Sequence, residues 1–110
     1  MSFSVRELPK AKSDKRAIFV WLAERSRQGA YTWLDAYDAA LKRLEEHALS
    51  FGAAFENESC PRFDVRQTFF KTRHGRVYRL LYFIDGNDVY VLRVRGPGQA
   101  PVQPEDLTDG

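Results

Sequence analysis

The sequence predicts an α+β domain in the order β-α-α-β-β-β, a helical hairpin packed on one face of a mostly antiparallel four-stranded sheet. Three observations carry this reading. Apolar residues recur at helical spacing only between about residues 13 and 49. Three short segments rich in β-branched and aromatic residues fill residues 64–95. The last two of these are separated by Gly86-Asn87 alone, the length and composition of a tight hairpin turn.

In chain order, "FSVREL" (Phe3 to Leu8) alternates apolar and polar residues and stops at Pro9, as a short first strand does. The first helix follows, with Ser13 or Asp14 as candidate cap and Gly29 as its stop. Ile18, Trp21, Leu22 and Arg25 form its stripe, widened by Phe19 and Ala23. The second helix runs from about Ala30 to Leu49, with Trp33, Leu34, Tyr37, Ala40, Leu41, Leu44 and Ala48 in phase; Gly52 closes it. The Gln28-Gly29 connection is short enough to force antiparallel arms. Residues 53–63 read as a loop.

Strands are expected over 64–72, 77–85 and 88–95, and "GPGQAPVQPEDLTDG" as an irregular tail. This divides the chain into a domain over residues 1–98 and a tail over 99–110.

With Gly86-Asn87 as the turn, Asp85 faces Asp88, Leu81 faces Leu92 and Arg79 faces Val94. With His74-Gly75 as the preceding turn, Phe70 faces Arg79, and Arg66 and Thr68 join the same face. That face then holds Arg66, Arg79, Leu81, Phe83, Tyr90, Leu92 and Val94. Two helices cover only one side of the sheet, so an open apolar face threaded with arginines is expected, and such a patch marks a binding site. The alternative is that the arginines snorkel to strand ends or pair with acids of the helices, which suits Arg93 and Arg95 better than mid-strand Arg79.

The chain has 110 residues, 44% hydrophobic and 29% charged, enough for one packed domain. Its net charge of +2 hides a gradient. Residues 1–61 are neutral, residues 62–95 carry eight Lys/Arg against three acids, and residues 96–110 carry three acids alone. Seven of the eight central cations are arginine, which suits phosphate and carboxylate forks. The block reads as an anion-binding surface for nucleic acid or an acidic protein.

The single cysteine, Cys60, excludes an internal disulfide framework, and no signal peptide or membrane span is expected. A cytoplasmic protein follows from these expectations. His47, His74, Cys60 and scattered acids show no metal-ligand spacing, and no phosphate-binding or nucleophile motif occurs, so neither metal nor cofactor is expected. Phosphodiester cleavage would need proton transfer that arginine cannot supply, leaving Lys71, His74, Tyr78 or Tyr82 for that work.

Tyr78-Arg79-Leu80-Leu81-Tyr82, the turn Asp85-Gly86-Asn87-Asp88 and the strand from Val89 to Gly96 resemble the RelE/ParE superfamily of bacterial type II toxin–antitoxin toxins. "VRQTFFKTRHGRVYRLLY" (Val65 to Tyr82) also looks like the family's preceding hairpin, and the resemblance spans about residues 3 to 98. It implies a growth-inhibiting toxin neutralised by a cognate antitoxin, typically an acidic segment that folds on binding. The RelE-like branch cleaves mRNA on the ribosome; the ParE-like branch inhibits DNA gyrase. In the first branch, which is narrowly favoured, Arg79 carries the catalytic role together with Lys71 and Arg66. Arg73, Arg76, Arg93, Arg95, Leu81, Phe83 and Tyr90 would then bind RNA or antitoxin. The chain departs from that branch after Arg95, where no basic residue, Tyr or His occurs. A non-toxic protein-binding relic is the third reading.

Overall fold

The computed structural model describes residues 2–59 and 64–107; Cys60 and Arg62 lie outside them, as do the end of the expected loop and the last three residues. The element order is β1 (Ser4–Glu7), α1 (Pro9–Ala23), α2 (Arg27–His47), β2 (Arg66–Phe70), β3 (Tyr78–Asp85) and β4 (Asp88–Arg95). The sheet order is β1-β4-β3-β2, with β1 parallel to β4 and the other pairs antiparallel. This is the predicted α+β arrangement.

The β3–β4 turn behaves as the sequence requires. Gly86 takes φ 62° and Asn87 keeps a negative φ, the combination of a II′ turn, and Asp85 faces Asp88. Farther down the hairpin the register departs from expectation. Tyr82 pairs with Val91, but Leu81 pairs with Arg93 and Arg79 with Arg95, so Leu92 is an extra residue in β4. Such a bulge inverts the facing of every residue beyond it. Val94 therefore joins Leu80 on the helical side, and Arg93 and Arg95 join Arg79 on the other.

The β2–β3 register is also one residue from expectation: Phe69, not Phe70, opposes Arg79. Arg66, Thr68 and Phe70 therefore share the helical side with Tyr82, Leu80 and Tyr78. Phe70 profits from the shift, packing its ring 5.7 Å from Tyr78 and 5.8 Å from both Trp33 and Tyr37.

The helices depart from expectation at their ends. Pro9 supplies the first residue of α1, with Leu8 as an N-cap that makes no side-chain hydrogen bond, so neither Ser13 nor Asp14 caps it. Ser26 caps α2, its Oγ accepting from Gly29 N–H at 3.0 Å, which places Gly29 inside the first turn rather than at a stop. Trp33, Tyr37, Ala40 and Leu44 of α2 pack on Phe70, Leu80, Tyr82, Val89, Val91 and Val94 to form the main core. No helix among the described residues is long and apolar enough to cross a membrane.

The opposite sheet face is not open, contrary to expectation. The 3-10 turn Phe55–Ser59 and the chain beyond Gly98 lie across it. Ala54, Val65, Leu81, Leu92, Val102 and Leu107 bury one another there, with Leu8 and Phe83 at the margin. Val102 and Leu107 are 5% and 1% exposed, so the segment read as an irregular tail supplies core residues.

Candidate functional site

Arg79, the second residue of β3, projects into this second core, where a bare guanidinium could not be accommodated. Glu56, on the covering 3-10 turn, meets it with both oxygens, at 2.7 Å and 2.8 Å. Gln67 Oε1 accepts a third bond at 3.1 Å, and the Phe55 ring lies 5.3 Å away. The side chains are 11% (Arg79) and 1% (Glu56) exposed. One Glu56 oxygen also accepts Val102 N–H at 2.8 Å, so a single carboxylate ties β3 to the C-terminal segment. Burial alone would raise the Glu56 carboxyl pKa; hydrogen bonds from Arg79 and Val102 outweigh it and hold the group below its ordinary value.

The bulge in β4 sends Arg93 and Arg95 to the same side, and each finds an oxygen partner. Arg93 forks onto Asp14 of α1 at 2.7 Å and 2.9 Å, the pairing with a helical acid that strand-end arginines favour. The same carboxylate accepts Val94 N–H at 2.9 Å, covering the edge of β4 beyond the end of β1. Hydrogen bonding to Asp14 raises the Arg93 pKa. Arg95 donates to Ala100 O at 2.6 Å, and burial, with Arg93 nearby, pulls its pKa below the ordinary arginine value.

Arg66 lies on the helical side, donating to Phe51 O at 2.8 Å and Leu49 O at 3.3 Å. It closes off carbonyls where the chain leaves α2, which otherwise lack helical donors. Arg66 and Arg79 are therefore on opposite sides of the sheet, not on the one face the sequence suggested. Leu81 is fully buried. Phe83 and Tyr90 stack at 5.1 Å on the second face and are half-buried.

The β2–β3 connection differs from all of these. Lys71, Arg73, His74 and Arg76 are exposed, and they sit beside the start of α2, where Ser26, Gly29, Thr72 and His74 line one shallow depression. The turn is centred on Arg73-His74, closed by Gly75 N–H donating to Thr72 O at 3.2 Å, one residue before the expected His74-Gly75. Among the described residues, no group of three or more His, Cys, Asp or Glu is placed to hold a metal ion.

Of the sequence-predicted site residues, the structure thus brings Arg79, Arg93 and Arg95 to one face, each with an oxygen partner. It puts Lys71, Arg73 and Arg76 together at one end of the sheet and leaves Arg66 alone on the far side. Sequence reasoning missed Glu56 and Asp14. Neither has a local signature, because each acts across the fold on a residue distant in the chain. Among the described residues, the arrangement presents a charged surface in which Arg79, Arg93 and Arg95 are each held by an oxygen acceptor.

The profile of the family described as "ParE toxin of type II toxin-antitoxin system, parDE" matches residues 5–101. Among solved structures, a chain of the chromosomal ParDE toxin–antitoxin system from P. aeruginosa superposes with a TM-score of 0.64 at 20% identity, covering 86% of this chain and 96% of that one. No curated protein matches. The family match covers most of the sequence, and the structural likeness agrees with it in fold: the chain belongs to the ParE toxin family of type II toxin–antitoxin systems.

Proposed function

We propose that this chain is a growth-inhibiting toxin that acts by binding its target rather than by hydrolysis, with DNA gyrase as the target and a cognate antitoxin as the neutralising partner. The observation that carries this reading is the Glu56–Arg79 pair. The residue that the nuclease reading needs as a transition-state cation is already bound on both sides of its fork by a buried carboxylate. Arg66 is similarly occupied by backbone carbonyls. Both candidate targets lie in the cytoplasm, and the reading places the protein there.

Ribosome-dependent mRNA cleavage is the second reading. The exposed turn bearing Lys71, Arg73, His74 and Arg76 favours it, offering cations and a group able to transfer protons. In that case the turn and Arg79 would share the work.

Induced expression in bacteria without the antitoxin separates the readings. Growth arrest with intact mRNA and blocked supercoiling by purified gyrase is the expected result. Discrete new 5′ ends inside translated frames would overturn it in favour of the nuclease. Unimpaired growth would remove the toxin reading altogether and leave a protein-binding relic.

A further inference from the structure

The C-terminal segment closes the second face without being woven into the sheet. Among the described residues, its backbone hydrogen bonds, Gln99 N–H to Gly96 O at 3.3 Å and Asp106 N–H to Gln103 O at 2.9 Å, stay within the segment. It adds no strand to the four of the sheet. Val102 and Leu107 anchor it by burial, and Glu56 accepts Val102 N–H. Cations of the body reach its carbonyls: Arg95 donates to Ala100 O at 2.6 Å, Arg93 to Asp106 O at 3.4 Å and Lys10 to Glu105 O at 3.5 Å. The last two are long and weak. Segments with few buried contacts open before the rest of a fold does.

The root of the segment is a turn with two accessible shapes. Gly96-Pro97-Gly98-Gln99 has proline second and glycine third, with Gly98 at φ 79°, the form of a type II turn. Proline keeps one φ in this turn and in extended chain, and glycine accepts either sign of φ. Rotation at Pro97 ψ and Gly98 alone therefore swings everything beyond Gln99.

Charge beneath the segment is unevenly matched. Asp14 holds Arg93 and Glu56 holds Arg79, whereas Arg95 meets a backbone carbonyl and keeps a buried Nε without an acceptor. Arg95 pairs with Arg79 across β3 and β4, and the exposed cations of the β2–β3 connection adjoin them. Arg76 shares a groove with Gly96, Pro97 and Gln99, at the root of the segment. One basic track thus runs from open surface to beneath the cover. Residues 96–110 carry three acids and no cation, so the cover repels any anion that the track attracts.

We propose that residues 99–107 are an autoinhibitory strap, hinged at Gly96–Gln99, which occupies Arg95 and Lys10 and lifts to let them reach the phosphate backbone of duplex DNA. A row of cations whose neighbouring acids are already committed suits a ligand charged at every unit. It suits less well a peptide whose acids alternate with apolar side chains. The proposal deepens the binding-toxin reading, whose target works on duplex DNA; it rests on that reading for the source of the DNA and not for the chemistry.

Full-length variants test it. Gly98→Val denies the turn its positive φ and touches neither core, because a Cβ there meets nothing within 4 Å. Leu107→Ser withdraws the anchor at the other end; Gly98→Val decides the case if Leu107→Ser unfolds. Hydrogen exchange is expected to show Val102 N–H freed while amides of α2 and β3 stay protected, which separates lifting from unfolding. Binding of a short fluorescent DNA duplex is followed by anisotropy against salt. Each opened variant is expected to bind more tightly than wild type, with log K against log salt steeper by about 2, from two more cations on phosphates. Adding Arg95→Gln and Lys10→Gln is expected to restore the wild-type slope. The proposal is overturned if Gly98→Val leaves Val102 N–H protected or if opened variants bind DNA as wild type does. It is overturned equally if the gain survives the loss of Arg95 and Lys10, or if poly(Glu) gains affinity and DNA does not. DNA binding on opening by a chain that arrests no growth would sustain the strap and remove the toxin reading. Growth arrest without such a gain would remove the strap alone.

Discussion

Glu56 and Arg79, 23 residues apart in the chain, form a two-pronged ion pair whose carboxylate also accepts Val102 N–H. One side chain thus fixes the covering turn, the central strand and the C-terminal segment together. Removing either partner leaves an uncompensated charge in the second core. Arg79→Ala and Glu56→Ala are each expected to lower stability by about 3–5 kcal/mol, measured by urea unfolding. Loss of toxicity in Arg79→Ala would therefore say nothing about catalysis.

A paired replacement is informative where the single one is not. Arg79→Met with Glu56→Gln removes both charges and keeps an acceptor for Val102 N–H. The double variant is expected to remain folded and, on the binding reading, to arrest growth as wild type does. A folded but harmless double variant in the induced-growth assay would restore Arg79 to the chemistry.

The same pair sets an acid limit on stability. The Glu56 pKa in the fold lies below its ordinary 4.5, so the contribution is fully present above 4.5 and is lost as pH falls through the lower, folded value. Wild type is expected to lose stability below pH 4.5 more steeply than the Arg79→Met, Glu56→Gln variant, as followed by circular dichroism melts against pH.

At the other end of the scale, burial pushes the Tyr82 pKa up to about 12 despite the nearby Arg66 charge, and its hydroxyl donates to Ala48 O at 2.6 Å. Burial and the bond to Glu7 raise Tyr37 further. Both folded values exceed the ordinary 10.0, so stability holds below that value and falls as pH climbs towards 12. Ultraviolet titration should show Tyr82 ionising near pH 12 or together with unfolding. Tyr82→Phe, which removes this buried hydrogen bond, is expected to cost about 0.5–1.5 kcal/mol.

Leu107, only 1% exposed, anchors the last described turn of the chain. Leu107→Ala is expected to cost about 2–5 kcal/mol in thermal unfolding. Hydrogen exchange should quicken first at Val102 N–H, whose acceptor loses its cover. An unchanged melting temperature would mean that the segment does not hold the second core closed.

Much of this architecture was legible because it is local. Period-two patterning and a two-residue turn with glycine first gave β4 its observed ends and the Asp85–Asp88 pairing. Helical spacing placed α2, although Ser26 rather than Gly29 decides where it begins. Leu92 was illegible as a bulge: nothing in "DVYVLRVR" distinguishes seven paired residues and one extra from eight paired residues. That one residue moved Val94 into the core and brought Arg93 and Arg95 to the face of Arg79. The cover over that face was equally hidden. Val102 and Leu107 stand isolated among proline, glycine and acids, with no periodicity to announce a packed segment. Their burial rests on contacts with distant parts of the chain, the Glu56 bond to Val102 N–H among them. The basic character of residues 62–95, by contrast, was plain from composition, and Arg73 and Arg76 of that block are exposed.

The parallel pairing of β1 with β4 has a consequence for the order of events during synthesis. Ser4 to Glu7 must wait for Asp88 to Val91 before the sheet has its outer strand, and the second core closes only when Leu107 arrives. Contacts of such wide sequence separation form late. On the ribosome, Ser4 to Glu7 therefore stay without their sheet neighbour until Asp88 to Val91 have been made, and the second core stays open until Leu107 has followed.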